Sequence, residues 1–431
     1  MPRLISASLD RFLSLLLLLF LLIYPFFLHP QVVAAALGLV PTNQIAPLDF
    51  FYGARAQFLF WFVTLFLVIW SYRAFVAGSW GHRNQGMDLP LILFLWIALL
   101  STLLAGDAKA LFGETRRAEG FQSIFSYLAL FLFGQDFLRQ EYHRRWAIGI
   151  VIGSAILLAI YGIGQGLGWE FLPRDAIRAE WTMPFATLGN PIFLGSYLLL
   201  ALPLPLYFIP HVKRGSKIAL IAIVILFLAA IFLTGSRGAW FGLAVSVVAL
   251  WLLQPNRVFR RILLAGTLVL ILILLLVGTV RGVSFQDRLT DTSSLQMRLY
   301  TWKMSLPAVW QKPFLGWGPD HFGNAFPQNA GSESMQVFGG IVYADKAHND
   351  LLQVAVTTGL LGLVAYMFLI GRFFCLGFSR RRQDELLGII LPGLLGYWAS
   401  LQLSFSVVSV APFFWLLSGM SLARNGSSTT A

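Results

Sequence analysis

Cysteine is almost missing from this chain. Its 431 residues include one, Cys375, which excludes an internal disulfide and any cysteine-cluster metal or redox centre. Charge is scarce as well. Only 12% of residues are Asp, Glu, Lys or Arg and 58% are hydrophobic, with a mean hydropathy of +0.74; soluble domains are about 25% charged. So little charge cannot coat a globule of this length in water, and the solvent must be lipid. No tandem repeat is present, no low-complexity tract beyond the polar tail 425–431, and no His/Asp/Glu spacing that suits a metal. The apolar stretch 12–28 is followed by no small-residue cleavage site, so it reads as a retained first helix rather than a signal peptide. No appended soluble domain is expected either: the longest non-spanning run, 281–349, is short and rich in Gly, Pro and Asn.

Long apolar runs are what the chain has in abundance. A crossing helix needs about 20 largely apolar residues. Runs centred on 12–29, 56–72, 88–105, 121–136, 147–167, 187–209, 218–234, 238–253, 262–280, 350–371, 386–403 and 408–423 predict an all-α membrane protein, a polytopic bundle of about twelve spans. The whole of 1–431 reads as one integral membrane domain, with 281–349 an extracytoplasmic loop lobe within it. Alternate short loops carry Arg73 and Arg83; Arg139, Arg144 and Arg145; Lys213, Arg214 and Lys217; Arg257, Arg260 and Arg261; and Arg380, Arg381 and Arg382. By the positive-inside rule these loops and both termini are cytoplasmic. The net charge of +12 is thus first a matter of orientation and not a sign of nucleic acid.

The opposite face still keeps about 13 Lys and Arg under the same rule, among them Arg116, Arg117, Arg174, Arg178, Arg237, Arg281, Arg288, Arg298 and Lys303. Pairing with Asp107, Glu114, Glu119, Asp175, Glu180, Asp287 and Asp291 accounts for single residues. As a set, several beside glycines or at span ends, they suit planar forks that grip phosphate oxygens.

Four local signals follow. Thr234-Gly235-Ser236-Arg237-Gly238 joins two apolar spans in a tight hairpin; its arginine is either a snorkelling residue or a functional one, the default for an ionisable group beside a span. His348-Asn349-Asp350 ends the long loop. Asn349 or Asp350 would cap the following helix, but that leaves His348 unexplained, and imidazole suits a general base. Residues 299–310 read as an amphipathic helix with Leu299, Trp302, Leu306 and Trp310 on one side, opened by Arg298, where a helix N-terminus and a guanidinium together favour an anion. Asn190-Pro191 reads as a helix-initiating turn. Among the other histidines, His82, His143 and His211 fall on the cytoplasmic side, and His29 and His321 are loop residues without supporting neighbours.

The order Gly189-Asn190-Pro191, Thr234-Gly235-Ser236-Arg237-Gly238, an Arg–Trp helix, Pro313-Phe314-Leu315-Gly316-Trp317-Gly318, then His348-Asn349-Asp350 and Gly359-Leu360-Leu361-Gly362 resembles the O-antigen ligase/polymerase superfamily of bacterial lipid-linked glycan glycosyltransferases. The resemblance covers about residues 88–405. It implies an inner-membrane enzyme of the lipopolysaccharide pathway type, moving a glycan from an undecaprenyl pyrophosphate carrier to an acceptor hydroxyl on the extracytoplasmic side, with no cofactor and no metal. It implies Arg237, Arg298 and His348 as catalytic residues, with Arg178, Arg116, Arg117, Asn349 and Asn190 as weaker substrate-binding candidates. The stretch Gly113-Glu114-Thr115-Arg116-Arg117-Ala118-Glu119-Gly120 reads equally as a self-neutralising salt-bridged loop. A ligase acting on lipid A-core leads; a polymerase or protein O-oligosaccharyltransferase shares the chemistry. A bicarbonate-type transporter is the alternative of another class, for which broken helices or charges near the midplane are expected; it is disfavoured because the spans carry almost no charge and the basic residues gather at the outer edge.

Overall fold

The computed structural model describes residues 2–39, 51–82, 85–114, 117–172, 183–253, 260, 293–326, 335 and 343–423. Among these residues every regular element is helical: α1 (Pro2–Ile23), α2 (Pro30–Ala36), α3 (Gly53–Ala77), α4 (Asp88–Ala105), α5 (Ala108–Phe112), α6 (Phe121–Phe137), α7 (Glu141–Gly166), α8 (Pro191–Ala201), α9 (Leu204–Phe208), α10 (Arg214–Leu233), α11 (Arg237–Leu253), α12 (Ser293–Gln311), α13 (Phe322–Ala325), α14 (Asp350–Arg380), α15 (Glu385–Ser400) and α16 (Ala411–Leu422). Eight helices among the described residues are long and apolar enough to cross a membrane, α8 and α9 counting as one through His211. Three more of the expected spans fall on α6, α11 and α16, of 17, 17 and 12 residues. The expected span 262–280 and the first part of the loop, 281–292, lie outside the described residues. Eight is therefore the number that length and hydropathy carry, and twelve remains the sequence expectation.

Glycines let backbones close on one another where no side-chain burial could hold helices together in lipid. A Cβ on Gly396 of α15 would stand 2.6 Å from the Gly242 carbonyl of α11, and one on Gly195 of α8 would stand 2.6 Å from the Ala239 methyl. These contacts stack α8, α11 and α15, while α6 packs along α16 and α4 along α14.

A second, smaller apolar core joins α12, α13 and the first turns of α14 through Tyr300, Ala308, Val309, Phe322, Phe326, Ala347 and Val356. The helix expected at 299–310 is thus real but starts earlier, at Ser293. Leu299, Leu306 and Trp310, expected on one side, all face outward, 51%, 53% and 71% exposed, whereas Thr301, Ser305, Ala308 and Val309 are buried. Small residues make the close contact, and the large apolar ones are left for the surroundings.

The Pro313 to Gly318 motif acquires a structural meaning here. Helix α14 is broken at Gly359, whose φ of 73° and ψ of −178° are not helical. A break strands backbone donors and acceptors that cost free energy if left unpaired. The motif supplies partners: Trp317 N and Gly318 N donate to the carbonyls of Val356 (3.0 Å) and Thr357 (2.8 Å), and Leu360 N and Leu361 N donate to those of Pro313 (2.7 Å) and Phe314 (3.3 Å). Gly316 has no Cβ because one would stand 2.5 Å from Gly359 N.

Candidate functional site

The hairpin between α10 and α11 places Arg237 by local chemistry. Thr234 Oγ1 donates to the Ile231 carbonyl (2.6 Å) and accepts from Ser236 N (3.2 Å). Gly235 takes the left-handed conformation, φ 62°, and Ser236 Oγ accepts from Ala239 N (3.2 Å), an N-cap arrangement that starts α11. Arg237 is therefore the first residue of its helix. Its Nη1 donates to Ser294 Oγ on α12 at 2.9 Å, joining the hairpin to the second core.

Arg298 lies five residues in from Ser293, past the free N–H groups of the first turn. The expected help from a helix N-terminus at Arg298 is therefore corrected: its anion affinity must come from the guanidinium. Burial first, then the charge of Arg237, disfavour its protonated form. The two guanidinium groups are thus within electrostatic reach of one another, an arrangement that suits a shared anionic group.

His348 follows at the end of the loop, with its backbone left-handed at φ 50°. Its ring stands edge-on to Phe405, centroids 5.2 Å apart, and its buried Nδ1 has no hydrogen-bond partner among the described residues. Burial pushes the imidazole down to about 4; the positive charge of Arg298 adds to this, Asp345 opposes it, and Arg117 adds a smaller push in the same direction. Arg298 is thus within electrostatic reach of both Arg237 and His348.

Arg117 joins them from the other side. Its Nε donates to Asp345 Oδ2 at 2.8 Å, and its guanidinium lies 5.1 Å from the centroid of the Phe405 ring that also faces His348. The self-neutralising loop is therefore corrected. Arg117 pairs with a carboxylate 228 residues away, and Glu119 turns inward to accept from Val408 N (2.6 Å) and the Tyr127 hydroxyl (3.1 Å). Burial pushes the Glu119 carboxyl up to about 8, against the pull of Lys346. Burial also works to raise Asp345, but the Arg117 guanidinium holds its carboxyl below the usual range.

Asn349 and Asn190 take the places their capping chemistry predicts. Asn349 Oδ1 accepts from Leu352 N (2.9 Å), and its Nδ2 donates to the Gln402 carbonyl (3.2 Å). Asn190 Oδ1 accepts from Ile192 N (2.9 Å), with Pro191 opening α8. Arg116 and Arg178 lie outside the described residues.

Residue patterns alone missed a cavity of about 100 Å³ whose mostly apolar lining, Phe405 included, also carries Glu119, Tyr127, Asp320, Lys346, Asp350 and Tyr397. The buried pair Lys346 Nζ to Asp320 Oδ1, 2.5 Å, holds it together, and Asp320 Oδ2 also accepts from Glu114 N (2.6 Å). The one available signal was Asp345-Lys346 immediately ahead of the histidine motif. His321 also corrects its reading as an unsupported loop residue: its Nε2 meets Asp107 Oδ2 at 2.8 Å. Among the described residues no group of three or more His, Cys, Asp or Glu side chains could hold a metal.

The long apolar helices define a multi-pass membrane protein. The family model described as O-antigen ligase matches residues 222–367, the stretch holding the hairpin, α12, the Pro313 to Gly318 motif and His348. The match covers that stretch and not the whole chain; it supports the O-antigen ligase superfamily, a family of membrane transferases of lipid-linked glycans. No curated protein matches it.

Proposed function

We propose that this chain is a metal-independent, inverting glycosyltransferase. It moves a glycan from an undecaprenyl pyrophosphate carrier to an acceptor hydroxyl at the extracytoplasmic face of the bacterial inner membrane, and the acceptor is lipid A-core, as in an O-antigen ligase. The observation that carries the reading is that Arg298, on the loop helix, is within electrostatic reach of both Arg237 in the span hairpin and His348 at the loop end.

In the reaction, the acceptor oxygen attacks the anomeric carbon as its proton passes to His348. The bond from that carbon to the pyrophosphate oxygen breaks, and its electron pair stays on the leaving oxygen. Arg237 and Arg298 offset the growing charge there as preorganised donors. Attack opposite the leaving group inverts the anomeric configuration. Arg117 lies against the Phe405 ring that His348 also faces and suits the glycan or the second phosphate; Arg116 and Arg178 are proposed for the same role. Asn349 and Asn190 cap α14 and α8.

Transport remains the reading of another class, and the break in α14 supplies one feature expected of it. However, transporters use the freed backbone of broken helices to hold ions, and here the Pro313 to Gly318 motif occupies those groups. The test is purified protein with a lipid-pyrophosphate glycan and separate acceptors, without added metal. Transfer to lipid A-core is expected. Lengthening of the lipid-linked chain would select a polymerase and transfer to a polypeptide hydroxyl an oligosaccharyltransferase. No turnover together with solute flux in liposomes would sink the enzyme. General-base catalysis contributes about 10²–10⁴-fold, so a folded His348→Ala variant should lose turnover on that scale.

A further inference from the structure

His348 occupies a backbone conformation that side chains with a Cβ adopt rarely, φ 50°, and such residues persist only where their surroundings over-determine them. Both of its neighbours are held. On the C-terminal side Asn349 caps α14 and is tied to the Gln402 carbonyl. On the N-terminal side Ala347 is fully buried and bonded through both backbone groups. The Trp302 indole N–H donates to its carbonyl at 2.9 Å, and its N–H donates to Gln353 Oε1 at 2.9 Å. Trp302 lies on α12, the helix that carries Arg298. A single rigid element thus holds a phosphate-gripping candidate and, one turn on, the group that pins the peptide before the imidazole.

We propose that Trp302 is a positioning residue for His348: with Gln353 it clamps the Ala347 peptide and so fixes the imidazole relative to Arg298. The inference rests on the reading of His348 as general base. It explains why an indole, whose only polar group is a donor, stands half-buried on the helix when its large apolar neighbours Leu299 and Leu306 face outward. The clamp makes the base and the arginines move as one body, which transfer chemistry requires, since misplacement by about 1 Å costs on the order of 10²-fold in rate.

The test uses the full-length protein in lipid and three variants. Trp302→Phe keeps a ring and loses the donor, Gln353→Met loses the acceptor, and Gln353→Glu keeps an acceptor oxygen. The first two are expected to lower kcat on the order of 10²-fold with KM unchanged, and Gln353→Glu to recover most of that loss. The acid limb of kcat/KM should also move to higher pH in Trp302→Phe, because an unclamped imidazole leaves its buried place beside Arg298. Folding is checked by monodispersity and melting temperature; if Trp302→Phe does not fold, the Gln353 pair decides alone. Wild-type kcat in Trp302→Phe or Gln353→Met, or a reduced kcat with the acid limb unmoved, would overturn the clamp. Failure of the general-base reading is seen separately, as normal turnover in His348→Ala; a dead His348→Ala beside an active Trp302→Phe overturns the clamp alone.

Discussion

At the scale of single residues, the environment of His348 decides how it can work. An imidazole pushed down to about 4 is neutral at physiological pH and free to accept a proton, but it is a weak base. Bound pyrophosphate would neutralise the arginines that depress it and so raise its basicity when the donor is in place. The consequence can be measured. The dependence of kcat/KM reports the free enzyme and that of kcat the loaded one. Loss of activity on acidification should therefore begin at lower pH in kcat/KM, approaching the value of about 4, than in kcat. Coincident limbs near the ordinary imidazole value would contradict the electrostatics.

His82 presents the opposite case. Its hydrogen bond to Asp136 (2.6 Å), opposed by burial and helped by Asp88, lifts it to about 9. A raised histidine stabilises the fold fully below its ordinary value of 6.5, and that contribution is lost as pH rises through about 9. The melting temperature of the wild type should approach that of His82→Gln across this interval; a constant gap between them would refute the pairing.

At the scale of elements, the informative feature is the join between the Pro313 to Gly318 motif and the break in α14. Both Gly316 and Gly359 are left-handed, at φ 68° and 73°, and each has backbone where a side chain would begin. Left-handed backbone alone costs a residue with a Cβ about 1–2 kcal/mol. Gly316→Ala and Gly359→Ala should each lose at least that much, seen as a lowered melting temperature in detergent. Gly215→Ala, where nothing lies within 4 Å, should melt like the wild type. Equal melting of all three would show that the motif is not packed into the break.

At the scale of the whole molecule, the site is built from segments far apart in sequence. Arg55, fully buried at the start of α3, donates to the Pro25 (3.1 Å) and Thr187 (2.8 Å) carbonyls and to Ser409 Oγ (3.0 Å), fastening three loops. Asp320 binds Lys346 and the loop before α6 in the same way. Removing one partner of a buried ion pair leaves the other charge uncompensated, at a cost of about 3–5 kcal/mol. Asp320→Asn should therefore destabilise the protein on that scale, and the double variant Asp320→Asn with Lys346→Met should recover part of the loss. A melting temperature indifferent to Asp320→Asn would mean that the pair is not buried as described.

Much of this molecule was legible without coordinates, for a physical reason. Lipid solvent, apolar runs and helix caps such as Asn190 and Asn349 depend on composition and on residues a few positions apart, so local pattern determined them. Arg237 stood out as an ionisable group beside an apolar span and His348 as a residue that helix capping leaves unexplained, while the grouping of both with Arg298 came from the family resemblance. Only the tertiary structure decided that Arg117 reaches Asp345, that Glu119 turns inward, that α12 buries its small face and that α14 breaks at Gly359. Those outcomes follow from packing between distant segments and from a left-handed histidine backbone, neither of which has a local periodicity to read.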